Sequence, residues 1–354
     1  MGNKNVIVVL LLVMPLLMAV SLSSNFTDES ALIAIKSHIT SDSNNIIASN
    51  WSEGTSFCSW VGISCSTRRP RVTPLNLPSM GLGGTIPKEI GNLSFLNFLN
   101  ISINNFGGNL PRELGHLRRL KSLDLSSNEI SRDLPTSLGF LIKLQVLHLS
   151  HNHLTGSIPR EIGFLHSLQR LAIINNSISG FIPSTIFNIS SLRVILLNNN
   201  SLYGTLPLEM CNNRLKLQAL NLERNQLSGQ LPTSLHKCTQ LQVLGISVNE
   251  FTGSIPMGIS NLTKLKLLAL ARNNMTGKIP HSVVNMSNLE AIDIGQNNIH
   301  GSIPRALGQL LNLNFLSMSA NNLGGAPPHL IFNISTLEAL PSLRIIFLGI
   351  FRQL

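Results

Sequence analysis

The chain has 354 residues, of which 43% are hydrophobic and only 12% charged, and its formal net charge is +10. Tyr occurs once and Trp twice, so the apolar content rests mostly on Leu and Ile, which points to many similar packing layers rather than one core with aromatic anchors. Lys and Arg are scattered apart from Arg68, Arg69 and Arg71 and from Arg118, Arg119 and Lys121, and no aromatic residues interleave with them, which speaks against a nucleic-acid surface.

Lys4 precedes an apolar stretch from Val6 to Val20, broken only by Pro15, and Ser21, Leu22, Ser23 and Ser24 come next. This reads as an export signal over residues 1–24. An uncleaved anchor is the alternative; Pro15 and the small-residue exit favour cleavage. Gly2 does not open a myristoylation motif, because Val6 stands where that motif needs Ser or Thr. The four cysteines are an even number suited to an oxidising compartment. Export also agrees with glycosylation sequons at Asn25, Asn50, Asn92, Asn100, Asn175, Asn188, Asn199, Asn261, Asn274, Asn285 and Asn333.

Residues 25–71 read as an N-terminal cap. Thr27-Asp28-Glu29 offers a helix start, and Leu32, Ile35 and Ile39 form a helical stripe. Trp51 comes next, then a loop from Cys58 to Cys65 that holds Trp60. A disulfide between Cys58 and Cys65 would pin the cap to the first repeat, whereas a metal site would need a second ligand pair.

From residue 72 to 333 the chain repeats itself, most clearly as Leu141-x-x-Leu144-x-x-Leu147-x-Leu149-x-x-Asn152-x-Leu154-x-Gly156-x-Ile158-Pro159. The frame recurs at Asn104, Asn128, Asn152, Asn176, Asn200, Asn225, Asn249, Asn273, Asn297 and Asn321, every step being 24 residues except the 25 between Asn200 and Asn225. Met80 holds the Asn place of a first unit, which makes eleven units. The Leu-x-Leu pair has period two, so both side chains face inward from a short strand. Stacked units pair these strands in parallel, while the inward Asn bonds backbone groups that the turn leaves open. Gly four residues after the Asn permits a positive φ, and Pro three further on fixes φ and disfavours helix on the convex side. The expected fold is an α/β solenoid with a parallel sheet on its concave face and an irregular or 3-10 convex side. Arg132 in place of the turn Gly should strain or reshape its bend. Pro74, just before the first Leu-x-Leu pair, is tolerable on a first strand with a free edge.

The Trp-bearing segment between Cys58 and Cys65, with repeats of the form Leu154-Thr155-Gly156-Ser157-Ile158-Pro159, resembles the ectodomains of plant leucine-rich-repeat receptor kinases and receptor-like proteins. Phrases such as Asn76-Leu77-Pro78-Ser79-Met80-Gly81-Leu82 are similar to the group that includes the flagellin and elongation-factor receptors. The resemblance covers about residues 27 to 340. It implies a right-handed superhelix that senses a peptide or cell-wall ligand, often with a co-receptor kinase. Residues 334–354 read as an incomplete repeat and a divergent tail without a second Cys pair, a membrane span or kinase motifs. The chain is therefore expected to be a piece of a longer receptor, with a short secreted form as the alternative. Membrane contact is expected only through a further C-terminal part or an uncleaved signal.

The frame puts the residues 6, 4, 2 and 1 before each Asn on the concave surface. Val146, His148, His151, Arg170, Arg193, Val194, Leu196, Val243, Val248, Leu267 and Arg272 would line a shallow, partly apolar and partly basic strip, the candidate ligand face. Glycosylated Asn100 would obstruct that face in the second unit. His148, His151 and His153 could hold a metal only if they converged, and on a curved strand exit they diverge, so neither metal nor cofactor is expected. Cys211 and Cys238 fall in adjacent units, and the spacing suits a disulfide or two buried thiols equally. No catalytic triad or paired-carboxylate spacing occurs, so the expected role is extracellular recognition of a peptide or protein, in the apoplast or at the plasma membrane. A free polygalacturonase-inhibitor-like binder or decoy is the alternative.

Overall fold

The computed structural model describes residues 27–52, 54–212 and 215–337. The proposed signal, Asn25 and the tail beyond residue 337 lie outside the described residues. The structure is a solenoid organised by a sheet of twelve strands in sequence order. Ile63–Cys65 opens it antiparallel to Val72–Asn76, and eleven strands from Val72–Asn76 to Phe315–Ser317 then run parallel. Leu171 pairs with Leu147 and with Ile195 at steps of one repeat, and the 25-residue unit keeps register by pairing Ile195 with Leu220. The inward positions are dry: Leu147, Leu149 and their equivalents are buried in one continuous core. Each such Leu contributes about 1.5–3 kcal/mol of burial, which a single unit alone could not collect.

The phased asparagines form the ladder that the spacing predicts. Asn152 donates from Nδ2 to Leu125 O (3.0 Å), Leu149 O (3.2 Å) and Ser150 O (3.3 Å), and its Oδ1 accepts from Ile130 N (3.0 Å). It therefore ties its own turn to the unit before it. Met80 cannot do this, and Asn104 of the next unit accepts from Met80 N and Leu82 N. The residue before each phased Asn takes a left-handed conformation, even the β-branched Ile103 (φ 56°) and Val248 (φ 59°).

Four residues past the Asn, Gly156 has φ 68° and Arg132 adopts φ 66°, so the arginine keeps the glycine's bend rather than reshaping it. These turns also carry a second strip of strands that the repeat pattern did not reveal. Ile39–Asp42 pairs antiparallel with Leu82–Thr85, and Asn105–Asn109, Glu129–Asp133 and His153–Thr155 continue the strip in parallel. The phased Pro residues then lead into five-residue 3-10 segments such as Arg160–Phe164, preceded by Pro159 with φ −63°. Stacked segments approach closely, and a Cβ on Gly115 would stand 2.5 Å from Ser137 O. The 25-residue unit departs from this: after Pro207, residues 208–212 form turns without a 3-10 segment.

Two expectations about the cap need correction. The first helix covers residues 27–37, so Leu32 and Ile35 lie on it but Ile39 sits on the strand Ile39–Asp42. Pro74 does not have a free edge, because Ile63–Cys65 covers its strand. The antiparallel ladder is irregular between Ile63 and Cys65, which accommodates the absent proline N–H. Cys58 and Cys65 are bonded, with Cα atoms 5.4 Å apart, and Trp51 stacks on Trp60 at 5.3 Å between centroids. Beneath them Asp28 and Arg71 form a buried bidentate pair at 2.8 and 2.9 Å, and Asp28 also accepts from Val72 N. This pair locks the helix to the first repeat. Cys211 and Cys238 are bonded as well, again with 5.4 Å between Cα atoms. No described helix is long and apolar enough to cross a membrane.

Candidate ligand-binding face

Strand alternation puts the residues six and four before each Asn on the concave side, opposite the core. The eleven sequence-selected residues divide there into three environments. His151, Arg193 and Arg272 are exposed; Val146, His148, Arg170 and Val248 are half-buried. Val194, Leu196, Val243 and Leu267 are buried, the last two completely. These four join Ala172, Ala219, Ala269 and Ala291 in a second apolar cluster, distinct from the core. The expected open apolar strip is thus a packed layer. Neighbouring units bring its short side chains against one another, and that leaves them little free surface.

The histidines diverge, each to its own partner. His148 Nδ1 lies 3.2 Å from Asp124 Oδ2, His153 Nε2 lies 2.6 Å from Glu129 Oε2, and His151 Nδ1 lies 3.0 Å from Asn175 Nδ2. Burial works to raise the Asp124 carboxyl, but hydrogen bonds from His148 and Ser126 outweigh it and hold the group below its ordinary range. Among the described residues no His, Cys, Asp and Glu group suits a metal ion.

The sequence reading missed the acidic centre of this face. Glu223 lies two residues before Asn225, in the column that holds Asn198 and Ser247 of the neighbouring units. Burial pushes its carboxyl up to about 7, with Asp293 adding to the rise and Arg224, Ser247 and Asn221 opposing it. Asn198 Oδ1 is enclosed without a hydrogen-bond partner among the described residues. The 24-residue frame could have placed both Glu223 and Asp293 here, since each occupies an outward column.

The sequons separate by surface. Asn92, Asn188, Asn261, Asn285 and Asn333 all end convex 3-10 segments and are exposed, so they form one row, and Asn274 is exposed at a turn. Asn100, Asn175 and Asn199 are half-buried at the concave sheet or its exit. Their amides bond Asn76, His151 and Asn175, respectively. Asn50 accepts from Val61 N within the cap.

Comparison with known proteins agrees with this architecture. Residues 26–66 match the leucine-rich repeat N-terminal domain, 75–176 a leucine-rich repeat region, and 216–238 and 263–323 further leucine-rich repeats. The structure is similar to the crystal structure of PEPR1-AtPEP1, with a TM-score of 0.84, 34% identity, 88% of this chain covered and 44% of that one. The chain belongs to the leucine-rich-repeat proteins of the plant receptor type. This receptor-like ectodomain is also 42% identical over 82 residues to the LRR receptor-like serine/threonine-protein kinase EFR of Arabidopsis thaliana. That match covers 23% of this chain and 8% of the relative. A second structure, the plant peptide hormone receptor RGFR1 in complex with RGF2, has a TM-score of 0.55 and 28% identity, with 79% of this chain and 63% of that one covered. The chain therefore spans less than two thirds of each of these relatives.

Proposed function

We propose that the chain is an extracellular recognition module that takes a peptide or short protein segment on its concave face and acts in receptor-like signalling. The observation that carries this reading is the face itself. Eleven parallel strands in unbroken register present outward columns that the core does not use. The likeness to a peptide hormone receptor supports the ligand class, and the match to receptor kinases supports a role beside a kinase. The proposed role is binding rather than catalysis, because among the described residues the concave face is an open, continuous sheet rather than a water-poor cleft suited to acid–base work. The exposed convex row of sequons and the two disulfides fit an extracellular or plasma-membrane setting. A co-receptor kinase is the partner that such a module would share its ligand with.

The test is a binding selection on residues 25–354, secreted as glycoprotein, with a random library of peptides about twelve residues long. Gly245→Asn is the control, since it completes a sequon with Ile246 and Ser247 and sets a glycan on the strand Val243–Gly245 at the centre of the face. Peptides that bind saturably to the wild type and at least tenfold more weakly to the glycosylated variant support the reading. Trimming that glycan should restore their binding. A wild type that enriches no peptide sensitive to the wedge refutes it.

A further inference from the structure

The convex row of sequons has a window in it. Where the row holds a sequon, a 3-10 segment ends on Asn and Ser or Thr stands two residues later, as in Asn92 with Ser94 and Asn188 with Ser190. The three coils between those two break the pattern together. His116 and Arg118, Phe140 and Ile142, then Phe164 and His166 hold the same two places. Phe140, Ile142 and Phe164 are 50%, 53% and 51% exposed, while Leu138, Leu141, Ile162 and Leu165 beside them already fill the core. A single exposed Phe is ordinary, but three large apolar side chains on two stacked coils form a patch of the kind that marks a contact. The patch is also firm. A Cβ on Gly139 would stand 2.6 Å from Glu161 O, so the backbones carrying Phe140 and Phe164 are closely apposed. A partner would meet the two rings on a base that is already organised.

The rim of the window is basic. Arg118 lies 4.8 Å from the Phe140 ring centre and uses one of its donors on Phe140 O (3.1 Å). Arg119 lies over Phe95 at 3.9 Å, and Lys143 is exposed next to Ile142. Among the described residues none of these three cations has a carboxylate partner. The acids of the neighbouring 3-10 segments, Glu113 and Glu161, are tied to Arg112 (3.1 Å) and Arg160 (3.2 Å). Aromatic rings beside unpaired guanidinium groups are the composition of a protein contact, and the free charges call for carboxylates.

The same features select among occupants. A second copy of the chain would set one basic rim against another. A lipid surface is flat, and glycans on Asn92 and Asn188 at the two ends of the window would hold it away. A narrow chain segment rich in Asp and Glu passes between those ends and serves rings and cations together. We infer that this convex window is a second recognition site, docking an acidic segment of a partner protein. Its apolar side chains rest on Phe140, Ile142 and Phe164, and its carboxylates face Arg118, Arg119 and Lys143. The site lies on the opposite side of the solenoid from the proposed peptide face, so both can be filled at once and each can fail alone.

The test repeats the peptide selection on the secreted glycoprotein with two further variants. Phe140→Asn with Ile142→Thr writes the native sequon pattern of the row into the window, and Arg118→Gln with Lys143→Gln removes charge alone. Secretion yield and the thermal unfolding midpoint show that both fold. Wild type should enrich peptides that combine several Asp or Glu residues with apolar ones. They should bind the sequon variant at least tenfold and the charge variant at least fivefold more weakly, and Gly245→Asn within twofold of wild type. Three results overturn the inference and leave the concave reading untouched. One is a selection without any peptide sensitive to the convex sequon, and another is sensitive peptides that lack acids. The third is a wild type whose self-association, or binding to vesicles of phosphatidylcholine and phosphatidylserine in equal parts, is what that sequon abolishes.

Discussion

The asparagine ladder makes a quantitative prediction about coupling between units. Replacing Asn152 by Leu keeps the branched shape and the number of side-chain heavy atoms but removes all four of its hydrogen bonds. Most of the groups it served keep another partner. Leu149 O still has Asn176 Nδ2 (3.1 Å), Ser150 O still has Ser127 N (2.8 Å), and Leu125 O still has Asn128 Nδ2 (3.2 Å). Only Ile130 N–H is stranded, and a stranded buried donor costs about 1–3 kcal/mol. With the weakened carbonyls, Asn152→Leu should lower stability by about 2–4 kcal/mol. Asn128→Leu should do the same by stranding Phe106 N–H. The two together do more than add. Among the described residues the donors to Leu125 O are Asn128 and Asn152, so only the double variant leaves that buried carbonyl unpaired. A coupling of about 1–3 kcal/mol in the destabilising direction is expected. Asn128→Leu with Asn249→Leu shares no carbonyl and should be additive within about 0.5 kcal/mol. Equilibrium urea unfolding by far-UV circular dichroism measures all four corners of each cycle. Trp51 and Trp60 fluorescence checks that the cap unfolds with the array. An adjacent pair as additive as the distant one refutes the shared-carbonyl account.

Three further outcomes concern single sites. Asp28→Asn leaves the buried Arg71 without its countercharge and should cost about 3–5 kcal/mol, seen first as loss of cap fluorescence in urea. Glu223 titrates at about 7 when folded against an ordinary 4.5, so the folded chain holds the extra proton, and stability falls as pH rises between these values. That loss is roughly 3 kcal/mol at most, and Glu223→Gln should flatten the dependence in thermal melts from pH 4.5 to 8; an unchanged slope would place the proton elsewhere. Val248→Asn relieves a β-branched residue held at φ 59° and should raise stability by about 1 kcal/mol in urea titration, whereas a destabilised variant would show that the left-handed turn is not strained there.

The solenoid was legible because its determinants are local and repeated. The Leu-x-Leu alternation, the phased Asn and the Gly and Pro beyond it each act within one turn, and periodicity multiplies their signal. The features that stayed hidden depend on contacts between distant segments. Arg71 looked like one of three clustered cations, but its partner is Asp28, 43 residues earlier. The covered edge at Pro74 came from a strand in the cap, and the bond between Cys211 and Cys238 came from the way one irregular unit stacks on the next. At the candidate site, the frame placed Val194, Leu196, Val243 and Leu267 on the correct side of the sheet. It could not show that they pack laterally, because lateral packing depends on which short side chains adjoin in neighbouring units. Glu223 was passed over because attention to a basic, apolar strip discounted an acid in the same column.

The single unit of 25 residues shows how the array contains an error of phase. The extra residue does not propagate, since the sheet resumes its register at once on the far side. The surplus is absorbed where the 3-10 segment is missing, and the sulfur of Cys211, anchored to the following coil, closes off that slack. Length variation in such a molecule is thus quantised along its inner surface and elastic along its outer one. A whole coil can be spliced in or out without disturbing the register of the concave sheet, while a fractional insertion survives only on the back, and here it does so under a covalent clamp.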